Sequence, residues 1–141
     1  MNHRWGTWVI AAAFFAMPMG VACADPPAVD YTGHYELADA GSDRVFALDI
    51  QQTGAKADIS FSAGMVDGSG AAPDGNGKGQ LKAGALAFIF KDSFDNEGTG
   101  LLKPVKGGFR LEITVTKVIE PRPLRFYETV LLKKTANKPS A

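Results

Sequence analysis

Cysteine occurs once in these 141 residues, at Cys23, and histidine only twice, at His3 and His34. A single cysteine excludes an internal disulfide, so strand pairing and packing have to stabilise the fold alone. Neither sign of charge is in excess, because 15 lysines and arginines balance 15 aspartates and glutamates. The composition therefore gives no sign of steering toward an anionic membrane, and no nucleic-acid partner is expected. Long apolar runs are missing too, apart from Trp8 to Met19. That run falls short of the roughly 20 residues a helix needs to cross a bilayer, so no transmembrane segment is expected.

What stands at the start instead is the pattern of an export signal. A short basic opening (His3, Arg4) leads into the apolar run, and small residues follow at Ala22-Cys23-Ala24. The spacing predicts a signal peptide over residues 1–24, removed by cleavage before Asp25, where Asp25-Pro26-Pro27 makes a stiff start to the mature chain. Gly20-Val21-Ala22-Cys23 also fits a lipobox loosely, which would leave Cys23 as a lipid-anchored first residue. The expected location is periplasmic or secreted. Residues 25–134 are enough for one domain that can bury around two-thirds of its surface, and residues 135–141 read as a disordered tail.

Period-two alternation dominates the mature sequence and predicts an all-β domain. Tyr31, Tyr35 and Leu37 share one face of a first strand; Phe46, Leu48 and Ile50 share a face of the next. Thr53-Gly54 turns the chain into a third, with Ala57, Ile59 and Phe61 facing together. The glycine-rich stretch Gly64 to Gly79, poor in apolar residues, reads as the longest loop. Strands resume at Gly79 to Ala83, then around Leu86, Phe88 and Phe90, then from Gly98 to Lys103. Phe109, Leu111, Ile113 and Val115 alternate with polar residues in the cleanest half-buried strand, and a final one is predicted from Leu124 to Leu132, beyond Pro121 and Pro123.

About eight short antiparallel strands in up-and-down order make a meander, and closing it into a small barrel removes both exposed edges. A flattened β-sandwich would satisfy the same alternation. Phe46, Phe61, Phe88, Phe90, Phe109 and Phe126 suffice to fill a narrow interior, with Ala57 and Gly100 fitting between them.

The opening strand Tyr31-Thr32-Gly33-His34-Tyr35, the segment Leu48 to Gly54 and the later Gly79-Gln80-Leu81, Gly84, Leu86 and Phe88 resemble small exported bacterial proteins with lipocalin-like or avidin-like barrels. The turn Asp92 to Gly100 is similar to one in uncharacterised members of that group. Gly68-Ser69-Gly70-Ala71 is similar to the loop that periplasmic lysozyme-inhibitor barrels offer to their enzyme, although Ala72-Pro73 departs from that pattern and the cysteines frequent there are absent. The resemblance implies a binding protein, of a group whose members differ in function.

Candidate chemistry is sparse. Once the signal is removed, His34 stands without any cysteine, which excludes a Cys/His nucleophile pair and leaves too few ligands for a usual zinc site. A Ser-His-Asp triad has no nucleophile-elbow sequence to support it. Placing Asn76 at the fifth position of a calcium loop puts Ala72 first and Ala83 twelfth, where carboxylates are needed, so an EF-hand is excluded. Asp92, Asp95 and Glu97 crowd one turn, yet no pocket-forming insertion accompanies them as a catalytic carboxylate pair would require. Arg122, Arg125, Lys133 and Lys134 make the chain's last part basic, suited to an acidic partner or simply to a solvated strand.

No catalytic residue, metal ligand or cofactor is assigned on these grounds. The binding candidates are Asp67, Ser69, Asp74, Asn76 and Lys78 of the glycine-rich stretch, and Asp92, Asp95 and Asn96 of the acidic turn. The expected function is that of an exported, non-catalytic protein recognising an envelope or extracellular protein through its loops, as an inhibitor, an immunity protein or an accessory factor. A lipocalin-like carrier of a small apolar ligand is the alternative.

Overall fold

The clearest hairpin in the chain is built by β2 (Arg44–Thr53) and β3 (Lys56–Met65), which pair over their full length around a turn at Gly54, whose φ of 61° suits a residue without Cβ. This computed structural model describes residues 29–135, so the signal segment 1–24 and residues 136–141 of the expected tail lie outside the described residues.

Six further strands complete the meander: β1 (Gly33–Leu37), β4 (Asp74–Lys82), β5 (Ala85–Asp92), β6 (Glu97–Val105), β7 (Gly108–Lys117) and β8 (Val130–Thr135). Each pairs antiparallel with its sequence neighbour, and β8 returns to β1 with Leu37 opposite Leu132 and His34 opposite Thr135. The result is the closed barrel, not the sandwich. Thr135 is the last residue of β8 and so belongs to the domain, not to a tail.

The interior follows the alternation. Phe46, Leu48, Ile50, Ala57, Ile59, Phe61, Leu86, Phe88, Phe90 and Leu111 are buried, with Tyr31, Tyr35 and Leu132 fully so. Phe109 is half-buried and meets the Tyr35 ring edge-on at 5.1 Å. The outward neighbours Asp49, Asp58, Ser60, Ile89 and Arg110 are exposed.

Two expectations are corrected. The stretch Gly64 to Gly79 is not one loop: the connection is residues 66–73, and from Asp74 the chain is β4. Its pattern is hidden because its inward positions are glycines that the facing strands cover. Phe61 lies over Gly75 directly across the β3–β4 ladder, and a Cβ at Gly75 would overlap that ring. Phe90 over Gly98 and Phe88 over Gly100 repeat the arrangement between β5 and β6. An aromatic ring on one strand thus supplies the apolar cover that the glycine opposite lacks.

The second correction concerns the last strand. Leu124 does not begin it; a 3₁₀ helix spans Arg122–Phe126, started by the fixed φ of Pro121 and Pro123, and β8 begins only at Val130. Phe126 and Tyr127 turn inward there, and Tyr127 packs 5.4 Å from Phe90 and 6.1 Å from Phe61. Smaller adjustments follow the same ladders: β1 starts at Gly33, and β6 runs from Glu97 to Val105.

The strand order gives the barrel two unlike ends. At the terminal end, where β1 begins and β8 finishes, the connections are the two-residue turns 54–55, 83–84 and 106–107. The loop end carries residues 38–43, 66–73, 93–96 and 118–129.

Candidate functional site: the loop end of the barrel

Local turn chemistry orders the acidic turn first. Asp95 takes φ 65°, a left-handed value that Asp tolerates, and its N–H donates to the Asp92 carbonyl at 3.0 Å. That turn directs the Asp92 side chain inward. Its Oδ1 accepts from the N–H groups of Phe94 (2.8 Å) and Asn96 (2.9 Å), and its Oδ2 from the Asn96 amide (3.0 Å) and the Tyr127 hydroxyl (2.5 Å). Asn96 in turn accepts from the N–H groups of Ile119 and Glu120 at 2.7 and 2.9 Å and donates to the Glu120 carbonyl at 2.9 Å. Burial, reinforced by the hydrogen bond to Asp92, pushes the Tyr127 phenol up, so it stays a donor.

Asp92 and Asn96 are therefore buried, 5 % and 0 % exposed, and not free to meet a partner. They tie the β5–β6 turn to the 118–129 connection, which closes this mouth of the barrel. Asp95 is exposed on the same turn and pairs with Lys91 at 3.6 Å.

Residues 66–73 are held at both sides and at the tip. Val66 donates to the Asp43 carbonyl at 2.8 Å and Ala63 to the Pro73 carbonyl at 2.9 Å. Ser69 N–H donates to Asp67 Oδ1 at 2.9 Å, and hydrogen bonding from Ser69, hydroxyl first, holds the Asp67 carboxyl below its usual range. The Arg125 guanidinium covers Gly70 and stacks 5.1 Å above the Phe126 ring. Arg44 adds a bond to the Arg125 carbonyl at 2.9 Å and an ion pair to Glu128 at 3.2 Å. At the start of β4, Asp74 N–H donates to the Ser93 hydroxyl at 3.1 Å, joining two of the connections.

The structure thus brings Asp67, Ser69, Asp74 and Asp95 together as exposed residues of one end. Asn76 and Lys78 stand apart, pointing outward from the wall of β4, where Lys78 is bonded to Asp58. The two basic pairs of the chain's last part separate as well: Arg122 and Arg125 lie at the loop end, Lys133 and Lys134 on β8 toward the terminal end.

Three features escaped the sequence reading. Exposed apolar side chains collect at the loop end: Val45, Val66, Val118 and Ile119 are 51 to 66 % exposed. An open groove of about 950 Å³ runs over the outer wall past Lys78, Ala87, Ile89, Thr99 and Leu101. Its signal was the unbroken apolar run Ala85 to Phe90, which has to present half of its members to solvent. Third, His34 bridges two carboxylates, Nδ1 to Asp49 at 2.6 Å and Nε2 to Glu36 at 3.2 Å, and these bonds, Asp49 foremost, raise its pKa.

Among the described residues no three His, Cys, Asp or Glu side chains gather as metal ligands, and no helix is long and apolar enough to cross a membrane. No family model matches the chain, and no curated protein matches it.

Proposed function

We propose that this is an exported, non-catalytic binding protein that uses the barrel as a scaffold and grips a protein partner with its loop end. The observation that carries the reading is the location of its exposed apolar residues. Of the six large hydrophobic side chains exposed among the described residues, Val45, Val66, Val118 and Ile119 rim the loop end, whereas Ile89 and Leu131 lie on the wall. Apolar side chains set among charged ones on tied-down connections and a strand end suit protein recognition, in which a few desolvated contacts supply affinity and the polar rim supplies specificity. Preorganisation by Asp92, Asn96 and Arg125 lowers the ordering cost of binding. Asp67, Ser69, Asp74 and Asp95 form the polar part of this surface.

Carriage of a small apolar ligand inside the barrel is the competing reading. Phe61, Phe88 and Phe90 seated on glycines and Tyr127 closing the mouth favour a packed interior instead. The protein, tethered by its C-terminus, is expected to capture a specific partner from envelope extract, and a Val66→Ser/Ile119→Ser variant with unchanged melting temperature to lose it. Equal capture by the variant removes the loop-end assignment. An apolar adduct in native mass spectrometry of the freshly purified protein supports the carrier.

A further inference from the structure

Balanced composition conceals a separation of charge that the fold creates. Around the terminal end stand Lys56 at the start of β3, Lys82 at the end of β4, Lys103 near the end of β6, Lys106 at the β6–β7 turn, and Lys133 and Lys134 on β8. The carboxylates beside them are Asp30, Asp58, which is bonded to Lys78, Glu112, which is paired with Lys103 and Arg110, and Glu36, which stands opposite Lys133 on β1. At the loop end the balance reverses: Asp39, Asp43, Asp67, Asp74, Asp95, Glu97, Glu120 and Glu128 face Arg44, Lys91, Lys117, Arg122 and Arg125. The lysines come from four strands, β3, β4, β6 and β8, and one turn, so they are spread around the end and do not form a stripe down one side. Among the described residues, no carboxylate lies within ion-pair distance of Lys56, Lys82, Lys106 or Lys133.

We propose that the terminal end is an electrostatic docking face for an anionic phospholipid bilayer, holding the barrel upright with its loop end turned away from the membrane. Shape selects a flat surface as the occupant. The three connections here are Gly54-Ala55, Ala83-Gly84 and Lys106-Gly107, two-residue turns with no bulky apolar side chain to enter a cleft or insert into the acyl layer. Lysine suits this role, since its compact, strongly hydrated charge on a flexible stem attracts lipid headgroups without needing a shaped site. Each such residue near an anionic surface contributes about a fivefold gain in partitioning, and the effect fades within a Debye length. The face is separate from the loop-end surface, so either can fail without the other.

Sedimentation of the purified protein with vesicles tests this. Vesicles of phosphatidylglycerol and phosphatidylcholine mixed are expected to bind it, pure phosphatidylcholine vesicles to leave it in solution, and salt at about 1 M, where the Debye length is about 3 Å, to release it. A Lys56→Glu/Lys82→Glu/Lys106→Glu variant is expected to bind at least about tenfold more weakly, whereas Arg122→Glu/Arg125→Glu, at the opposite end, keeps the original binding. If the glutamate variant does not fold, the corresponding glutamine variant is expected to show the same loss in smaller measure. Equal binding to neutral vesicles, equal loss in the arginine variant, or heparin held more tightly than the vesicles each overturns the proposal.

Discussion

Gly100 lies opposite Phe88 on the β5–β6 ladder, and the ring occupies the space a side chain would need. Gly100→Ala therefore overpacks the interior, and the expected loss is about 1–3 kcal/mol, read as a lower urea midpoint with unchanged slope. A neutral result means that the ring has room to move and the interior is looser than its burial indicates. The Asp92 site depends on hydrogen bonds instead of volume. Tyr127→Phe removes one bond to a charged acceptor, about 1.5–3 kcal/mol, and Asp92→Ala strands the Tyr127 hydroxyl and three N–H donors, so the second change is expected to be the larger. Equal losses from the two would mean that water replaces the missing carboxylate.

His34 gives the same scale a pH dependence. Its partners favour the cationic ring, so its folded pKa lies above the unfolded value of 6.5. Stability from His34 is then fully present below pH 6.5 and disappears as pH rises through the folded pKa. The side chain is 23 % exposed but its partners Glu36 and Asp49 are more than half exposed, so solvent screening keeps the effect small. Urea midpoints of the parent and His34→Gln measured from pH 5 to 9 are expected to differ at the acid end and converge at the alkaline end. A difference that grows with pH contradicts the assignment.

At the scale of elements, legibility depended on whether an element's own residues carried its packing. In β5 and β7 the inward side chains are Leu86, Phe88, Phe90 and Leu111, large and alternating, and their strands could be read directly. β4 could not, because Gly75, Gly77 and Gly79 take the inward positions and the apolar cover comes from neighbouring strands. The last strand was misplaced for a related reason: Phe126 looks like strand core, yet it belongs to a plug shaped by two prolines. Asp95 and Asp67 were recognisable as surface residues from their turns. Asp92 was not, since its partner Tyr127 lies 35 residues away in sequence. The plug can be tested as a unit: Phe126→Ala is expected to cost about 3–5 kcal/mol, whereas Arg122→Ala, exposed on the same 3₁₀ turn, stays within about 0.5 kcal/mol.

For the molecule as a whole, the decisive quantity is the distance between its two charged ends relative to the range of electrostatic forces. Strands of up to ten residues at about 3.3 Å per residue, tilted by about 40°, make a barrel roughly 25 Å long. At about 0.1 M salt the Debye length is about 10 Å, so each end acts on a charged surface with little influence from the other. A protein whose formal net charge is zero at pH 7 is then expected to be retained on both cation- and anion-exchange resins, through the terminal-end lysines on one and the acidic loop end on the other. The Lys56→Glu/Lys82→Glu/Lys106→Glu variant should lose retention on the cation exchanger and gain it on the anion exchanger. Replacing Asp39, Asp43 and Asp67 by lysine should do the reverse. A parent that flows through both resins at low salt would mean that the opposite charges neutralise one another across the barrel, and the two-ended character would then have no reach beyond the protein surface.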